Sequence, residues 1–221
     1  MERTREFLDV IYALWDSWEP GALVFDKANA TFTDHAKVHR IDHAGAWFTV
    51  EGPLNSPRPA QGRPVIVQVD ASADGLALAA ATADVLVIRP ATMAAAAQTS
   101  RAVKAAAAAA GRELLVLADL MPILAGEPAG AATGDGLTFA GTPSAMADLM
   151  QAWKASGACD GFNLLPARLP DDLEAVVDAL VPELRRRGLS PIGAGATLRQ
   201  RLGLAEPVSR HAGAALGAVH G

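Results

Sequence analysis

The stretch Pro64-Val-Ile-Val-Gln-Val-Asp70, running straight into Ala71-Ser-Ala-Asp-Gly75, decides the fold. An apolar strand core over residues 65–69 ends at a carboxylate, and small residues then lead into a helical pattern over 74–82. The same grammar returns near the other end. Cys159-Asp-Gly-Phe-Asn-Leu-Leu-Pro166 gives a strand over 161–165, and a helix follows over 171–187. Between the two lie a strand over 84–88, an alanine-rich helix over 91–110 closed by Gly111, and a strand over 113–118. A Gly/Ala-rich loop over 126–136 and a helix over 143–156 complete the series. Strands alternating with helices at this spacing specify a parallel sheet with right-handed crossovers. About four strands are visible, half of an eight-stranded β/α barrel. Nothing comparable precedes residue 60, so the chain ends like a complete barrel and begins like the middle of one.

The upstream part has a different character. Phe7, Val10, Ile11, Leu14, Trp15 and Trp18 recur at helical spacing, which predicts an amphipathic helix over 2–18 ending near Pro20-Gly21. Residues 38–50 read as a β-hairpin turning at Ala44-Gly45, and a proline-rich irregular segment occupies 52–64. The expected organisation is one partial barrel domain over 1–221. It comprises a helix-and-hairpin appendage over 1–60, β/α units over 61–190 and a tail over 191–221.

Composition narrows the function classes. A chain of 221 residues can bury a sizeable core. It contains no run of about eighteen uncharged apolar residues that would span a bilayer. The N-terminus lacks the apolar core of a secretory signal, so a cytoplasmic location with no membrane partner is expected. The formal net charge of −5 argues against a nucleic-acid platform. The single cysteine, Cys159, excludes an internal disulfide and any multi-cysteine metal site.

Candidate chemistry outside the strand ends is sparse. His35, His39 and His43 recur every four residues, but 38–43 reads as a strand, where His39 and His43 share a face and lack a third ligand. No metal site is expected. Cys159 lies at the N-terminal end of its strand, whereas barrel active sites lie at C-terminal ends, so it reads as a small buried residue. Asn163 and residues 164–168 leave the last strand on the active side and are candidates for lining a pocket. The 126–136 loop carries no dinucleotide fingerprint, and no nucleophile elbow is present. No catalytic residue is assigned.

Several segments in order resemble one family: Leu14-Trp-Asp-Ser-Trp-Glu19, Lys37-Val-His-Arg-Ile-Asp-His43, Gly52-Pro-Leu-Asn55, Gly62-Arg-Pro-Val-Ile-Val-Gln68, Gly157-Ala-Cys-Asp-Gly-Phe-Asn-Leu164, Val181 to Leu189, and Gly195-Ala-Thr-Leu-Arg199. They are similar to the bacterial-luciferase-like flavin-dependent monooxygenases, in the branch of the nitrilotriacetate, dibenzothiophene-sulfone and pristinamycin-type enzymes. The resemblance runs from about residue 5 to residue 204. It implies a TIM-type β/α barrel of which this chain is the second half, with the insertion after the seventh strand mostly deleted. It also implies reduced FMN delivered by a separate flavin reductase, O₂, and a small organic substrate.

One part of the implied flavin site can be followed residue by residue. The family's strand-to-helix turn reads approximately Gln-Ala-Gly-Ser-Ser-x-x-Gly, and a helix N-terminus of this kind accepts a phosphate. Here Gln68, Ser72 and Gly75 match, Ala71 replaces the first serine and Asp70 replaces the glycine. The implied cofactor-binding set is Gln68, Ala71, Ser72 and Gly75. A carboxylate about 4 Å from a phosphate charge costs on the order of 4 kcal/mol at an effective dielectric of 20, so Asp70 opposes FMN unless it turns away. Its structural role would be to cap the helix by accepting from the N–H of Ser72 or Ala73.

Three functions stay open at this point. The chain is a flavin monooxygenase subunit completed by another chain or by upstream sequence, a non-catalytic half-barrel covered by a partner or a second copy, or a truncated reading frame. Half a barrel exposes unpaired edges and an apolar interior, which favours a homo-oligomer or a chain supplying the first half. Independent turnover is not expected.

Overall fold

In the computed structural model, residues 1–69, 72–124, 136–189 and 196–211 are described. They form two compact units, residues 66–192 and residues 1–65 with 193–221.

The 66–192 unit is the β/α series. Strand β5 (Val67–Gln68) leads to α2 (Ala73–Thr82), β6 (Val85–Ile88) to α3 (Met93–Ala109), and β7 (Leu115–Ile123) to β8 (Leu137–Ala140) and α4 (Pro143–Ala155). Strand β9 (Gly161–Leu164) precedes α5 (Asp171–Ala175), a π-helical turn over Val176–Leu180, and α6 (Val181–Arg186). The four strands β5, β6, β7 and β9 pair in that order, all parallel, as alternation requires. Strand β7 is long enough to pair twice. Its first half meets β6 and β9, and Leu120–Ile123 meets β8. Pro122 sits within this strand, where β8 pairs with β7, at a position opposite Phe139.

Alternation along the strands sorts the two faces of the sheet. Leu86, Ile88, Val116 and Ala118 turn toward the helices and form one core with Ala96, Val103, Ala107 and Trp153. Leu120, Met146, Met150, Val176 and Leu180 form a second. The alanine-rich α3 packs through Ala96, Ser100, Val103 and Ala107, a stripe of small residues at helical spacing that lets the backbone approach the sheet. Asp160 fixes the entry to β9: its carboxylate accepts from the Val116 N–H at 2.7 Å and from Lys104 Nζ at 2.6 Å. Arg112 Nη2 donates to the carbonyls of Thr82 and Ala83, both at 3.1 Å, satisfying the C-terminal end of α2.

In the other unit, α1 (Glu2–Asp16) is followed by a hairpin of β1 (Leu23–Asp26) and β2 (Thr31–Thr33) that the periodicity gave no sign of. A 3₁₀ turn covers His35–Lys37. The expected hairpin over 38–50 exists but is reduced to β3 (His43–Ala44) against β4 (Thr49–Val50), and it turns over Gly45 to Phe48 instead of at Ala44-Gly45. The reason lies outside the hairpin. Glu6 of α1 accepts from the N–H groups of Ala46, Trp47 and Phe48 at 2.9–3.2 Å, holding four residues in the turn. Gly52 has φ +67°, and a Cβ there would lie 3.2 Å from Ile41, so the Gly52-Pro53 motif is a backbone requirement.

Asp16 is the polar centre of this unit. It is fully buried and paired with Arg58 and Arg63, and it also accepts from the Arg210 N–H at 3.3 Å. Burial pushes its carboxyl up, but hydrogen bonds from Arg63 and Arg58 outweigh that and hold it below the ordinary range. Short helix α7 (Leu198–Arg201) opens on a capping box in which Thr197 and Gln200 satisfy each other's N–H. Arg199, also buried, donates to the carbonyls of Pro64 and Ala205. The motifs around Trp15–Trp18 and Thr197–Arg199 are thus framework.

Candidate functional site at the strand ends

The turn after β5 carries the sequence-predicted residues. Ser72 is the N-cap of α2, its Oγ accepting from the Gly75 N–H at 3.0 Å, and Gln68 Nε2 donates to the Gly75 carbonyl at 2.6 Å. Gln68, Ser72 and Gly75 therefore come together. Ala71 and Asp70 lie outside the described residues. The cap is Ser72 where Asp70 was expected, because the helix starts at Ala73 and Ser72 holds the extended backbone a cap needs. The N–H groups of Ala73 and Asp74, the first two of the helix, have no partner among the described residues. Two open N–H groups at the positive end of a ten-residue helix suit a phosphate.

The helix-free face of the sheet holds a second group that sequence reasoning found only in part. Asp119 on β7 is buried with 4% of its side chain exposed, and accepts from Arg89 Nε and from Asn163 Nδ2, both at 2.8 Å. Arg89 follows β6 directly and Asn163 lies in β9, so three adjacent strands contribute one residue each. A cavity of about 220 Å³ opens beside them, lined by Arg89, Asp119, Met121, Leu137, Thr138 and Leu165. Asn163 and Leu165 were expected on this side. Arg89 and Asp119 were not, although a charged residue just after the apolar strand Val85–Ile88 and another in the middle of the otherwise apolar Leu115–Ile123 are the signals that would have found them.

His39 and His43 each meet a separate carboxylate. His39 Nε2 lies 2.6 Å from Glu19 Oε1, and His43 Nε2 lies 3.1 Å from Glu6 Oε1. Glu19, His39 and His211 each bring one ligand atom within 4.8 Å of the others. The rings of His39 and His211 are stacked at 3.9 Å with 14° between planes, so their in-plane lone pairs run side by side and do not converge on one ion. Burial, followed by the His39 charge, pushes His211 below the ordinary histidine value. Cys159 is buried, and burial together with Asp160 raises its thiol to about 11, which makes it inert. Arg168 is committed to the buried Asp172.

A parallel β/α sheet with a serine-capped helix start and a charged cavity at its strand ends has the layout of a β/α barrel's C-terminal side. The family profile described as luciferase-like monooxygenase matches residues 1–133, more than half of the sequence, and the chain belongs to that family. N-acetyl-S-(2-succino)cysteine monooxygenase of Bacillus subtilis (strain 168) is 31% identical, over 96% of this chain and 66% of that protein. Nitrilotriacetate monooxygenase component A of Aminobacter aminovorans is 32% identical, over 93% and 62%. The solved structure of riboflavin lyase with modified FMN and riboflavin superposes with a TM-score of 0.83 at 26% identity, over 95% of this chain and 63% of that one. The chain spans about two thirds of the length of the relatives it matches. The two sequence alignments run to 290 and 283 positions, more than the 221 residues present, so both relatives carry segments within the aligned region that this chain lacks.

Proposed function

We propose that this chain supplies the phosphate turn and part of the substrate side of a monooxygenase that uses reduced FMN, provided by a flavin reductase, to oxidise a small organic molecule with O₂. The remaining pocket comes from polypeptide beyond these residues, on the same or another chain, or from a second copy. When bound, reduced FMN supplies the electrons that activate O₂. The protein's own part is positional. Ser72 and the N–H groups of Ala73 and Asp74 would hold the phosphate, while Gln68 braces the turn through Gly75. The single observation that carries the reading is the start of α2, where two N–H groups at a serine-capped helix N-terminus have no partner among the described residues, in a chain of this family.

The experiment is FMN- and O₂-dependent oxidation of a relative's substrate, nitrilotriacetate or N-acetyl-S-(2-succino)cysteine, with a flavin reductase present. It is run on this chain alone and together with the first-half segment of a relative. The reading expects turnover when complemented; turnover by the chain alone, rising with its concentration, would assign the missing pocket to a second copy. A second reading, a half-barrel that has lost FMN and serves as an interaction protein, is favoured by Asp70 standing where the family turn has glycine. It expects no flavin binding in either case. The cell compartment proposed is the cytoplasm; among the described residues no helix is long and apolar enough to cross a membrane.

A further inference from the structure

We infer that Arg89 is a carboxylate anchor, and that the cavity beside it takes a small organic molecule bearing a carboxylate. This names the substrate class of the reading above and rests on it.

Arg89 is held by one edge only. Its Nε donates to Asp119 Oδ2 at 2.8 Å, while its terminal Nη1 and Nη2 have no partner among the described residues. Asp119 is in turn fixed on its other oxygen by Asn163 Nδ2. A buried carboxylate with both oxygens occupied cannot rotate without losing a charge-assisted bond, so the guanidinium plane is set before any ligand arrives. More than half of the Arg89 side chain, 58%, remains exposed, and it lines the cavity.

The ligand class follows from the lining. A planar fork with two free N–H groups matches a carboxylate. The rest of the wall is Met121, Gly136, Leu137, Thr138 and Leu165, which suits a short carbon skeleton with one further polar group. Phosphate fits less well. Among the described residues the lining holds no helix N-terminus, and Asp119 beside the fork repels a dianion more than a monoanionic carboxylate. At about 220 Å³ the cavity has the volume of roughly seven liquid waters at about 30 Å³ each, enough for a four-carbon acid.

The test is a titration of the chain with succinate in the absence of flavin, followed through the Arg89 Nε resonance, with butane-1,4-diol and inorganic phosphate as comparisons. Expected are saturable succinate binding that shifts this resonance, no binding of the diol, and at least a tenfold weaker dissociation constant in Arg89→Gln. If Arg89→Gln fails to fold because Asp119 is left buried and unpaired, the double change Arg89→Gln/Asp119→Asn removes both charges and is expected to fold without binding. The inference is overturned by absence of saturable succinate binding to folded protein, by unchanged affinity in a folded Arg89 variant, or by phosphate binding at Arg89 more tightly than succinate. Because no flavin is present, failure here is separate from failure of the flavin reading.

Discussion

Three aspartates illustrate how much a single residue's role depends on partners far away in the chain. Asp160 pins the start of β7 through the Val116 N–H, 44 residues away. Asp160→Ala orphans that N–H and is expected to cost about 1–3 kcal/mol in urea unfolding, with no change in ligand binding. Asp16 neutralises Arg58, whose side chain is only 7% exposed. Asp16→Asn leaves that charge without its counter-ion and is expected to cost about 3 kcal/mol or more. The carboxyl is depressed in the folded state, so its contribution is complete above the unfolded value of 3.8 and is lost as pH falls through the lower folded value. The urea midpoints of wild type and Asp16→Asn should therefore converge on acidification below about pH 4 and stay separated at neutral pH. Asp119 braces Arg89 across adjacent strands. None of these pairings was legible in the sequence, since each joins positions 30 or more apart, whereas local periodicity reports only neighbours along one element.

At the scale of elements, the β/α series was legible because its strands have mostly apolar cores and several of its helices open on side-chain caps. Thr92, Thr142 and Ser72 each accept from the N–H three residues on. Ser72→Ala is expected to cost about 1 kcal/mol of stability and, on the flavin reading, to weaken FMN as well. A thermal melt and an FMN titration of the same variant separate the two effects. Helix α3 tests the packing. Ala96 is fully buried in the stripe facing the sheet, and Ala96→Leu is expected to cost about 1–3 kcal/mol through overpacking, measured by denaturant unfolding. The β1–β2 hairpin was missed for a physical reason. Phe25 and Phe32 contact each other edge-on at 4.9 Å while both stay exposed, and Phe25 sits at φ +54°, so no buried-face alternation marks the strands. The 38–50 hairpin was foreseen but its turn was misplaced, because Glu6, some forty residues upstream, sets it.

For the whole molecule, the helix-free face of the sheet is exposed at its β5 edge. Val67 and Val69 are 54% and 55% exposed, and among the described residues β5 and β9 each pair on one side only. Open edges beside an apolar face favour association, so sedimentation velocity should show a weight-average mass that rises with protein concentration. A concentration-independent monomer would count against completion by a second copy. The measurement that goes most directly to the central claim is an anaerobic titration with reduced FMN at several protein concentrations. Saturable binding that tightens with concentration and weakens in Ser72→Ala is the predicted result. A chain shown to be folded that binds no reduced FMN at any concentration would contradict it.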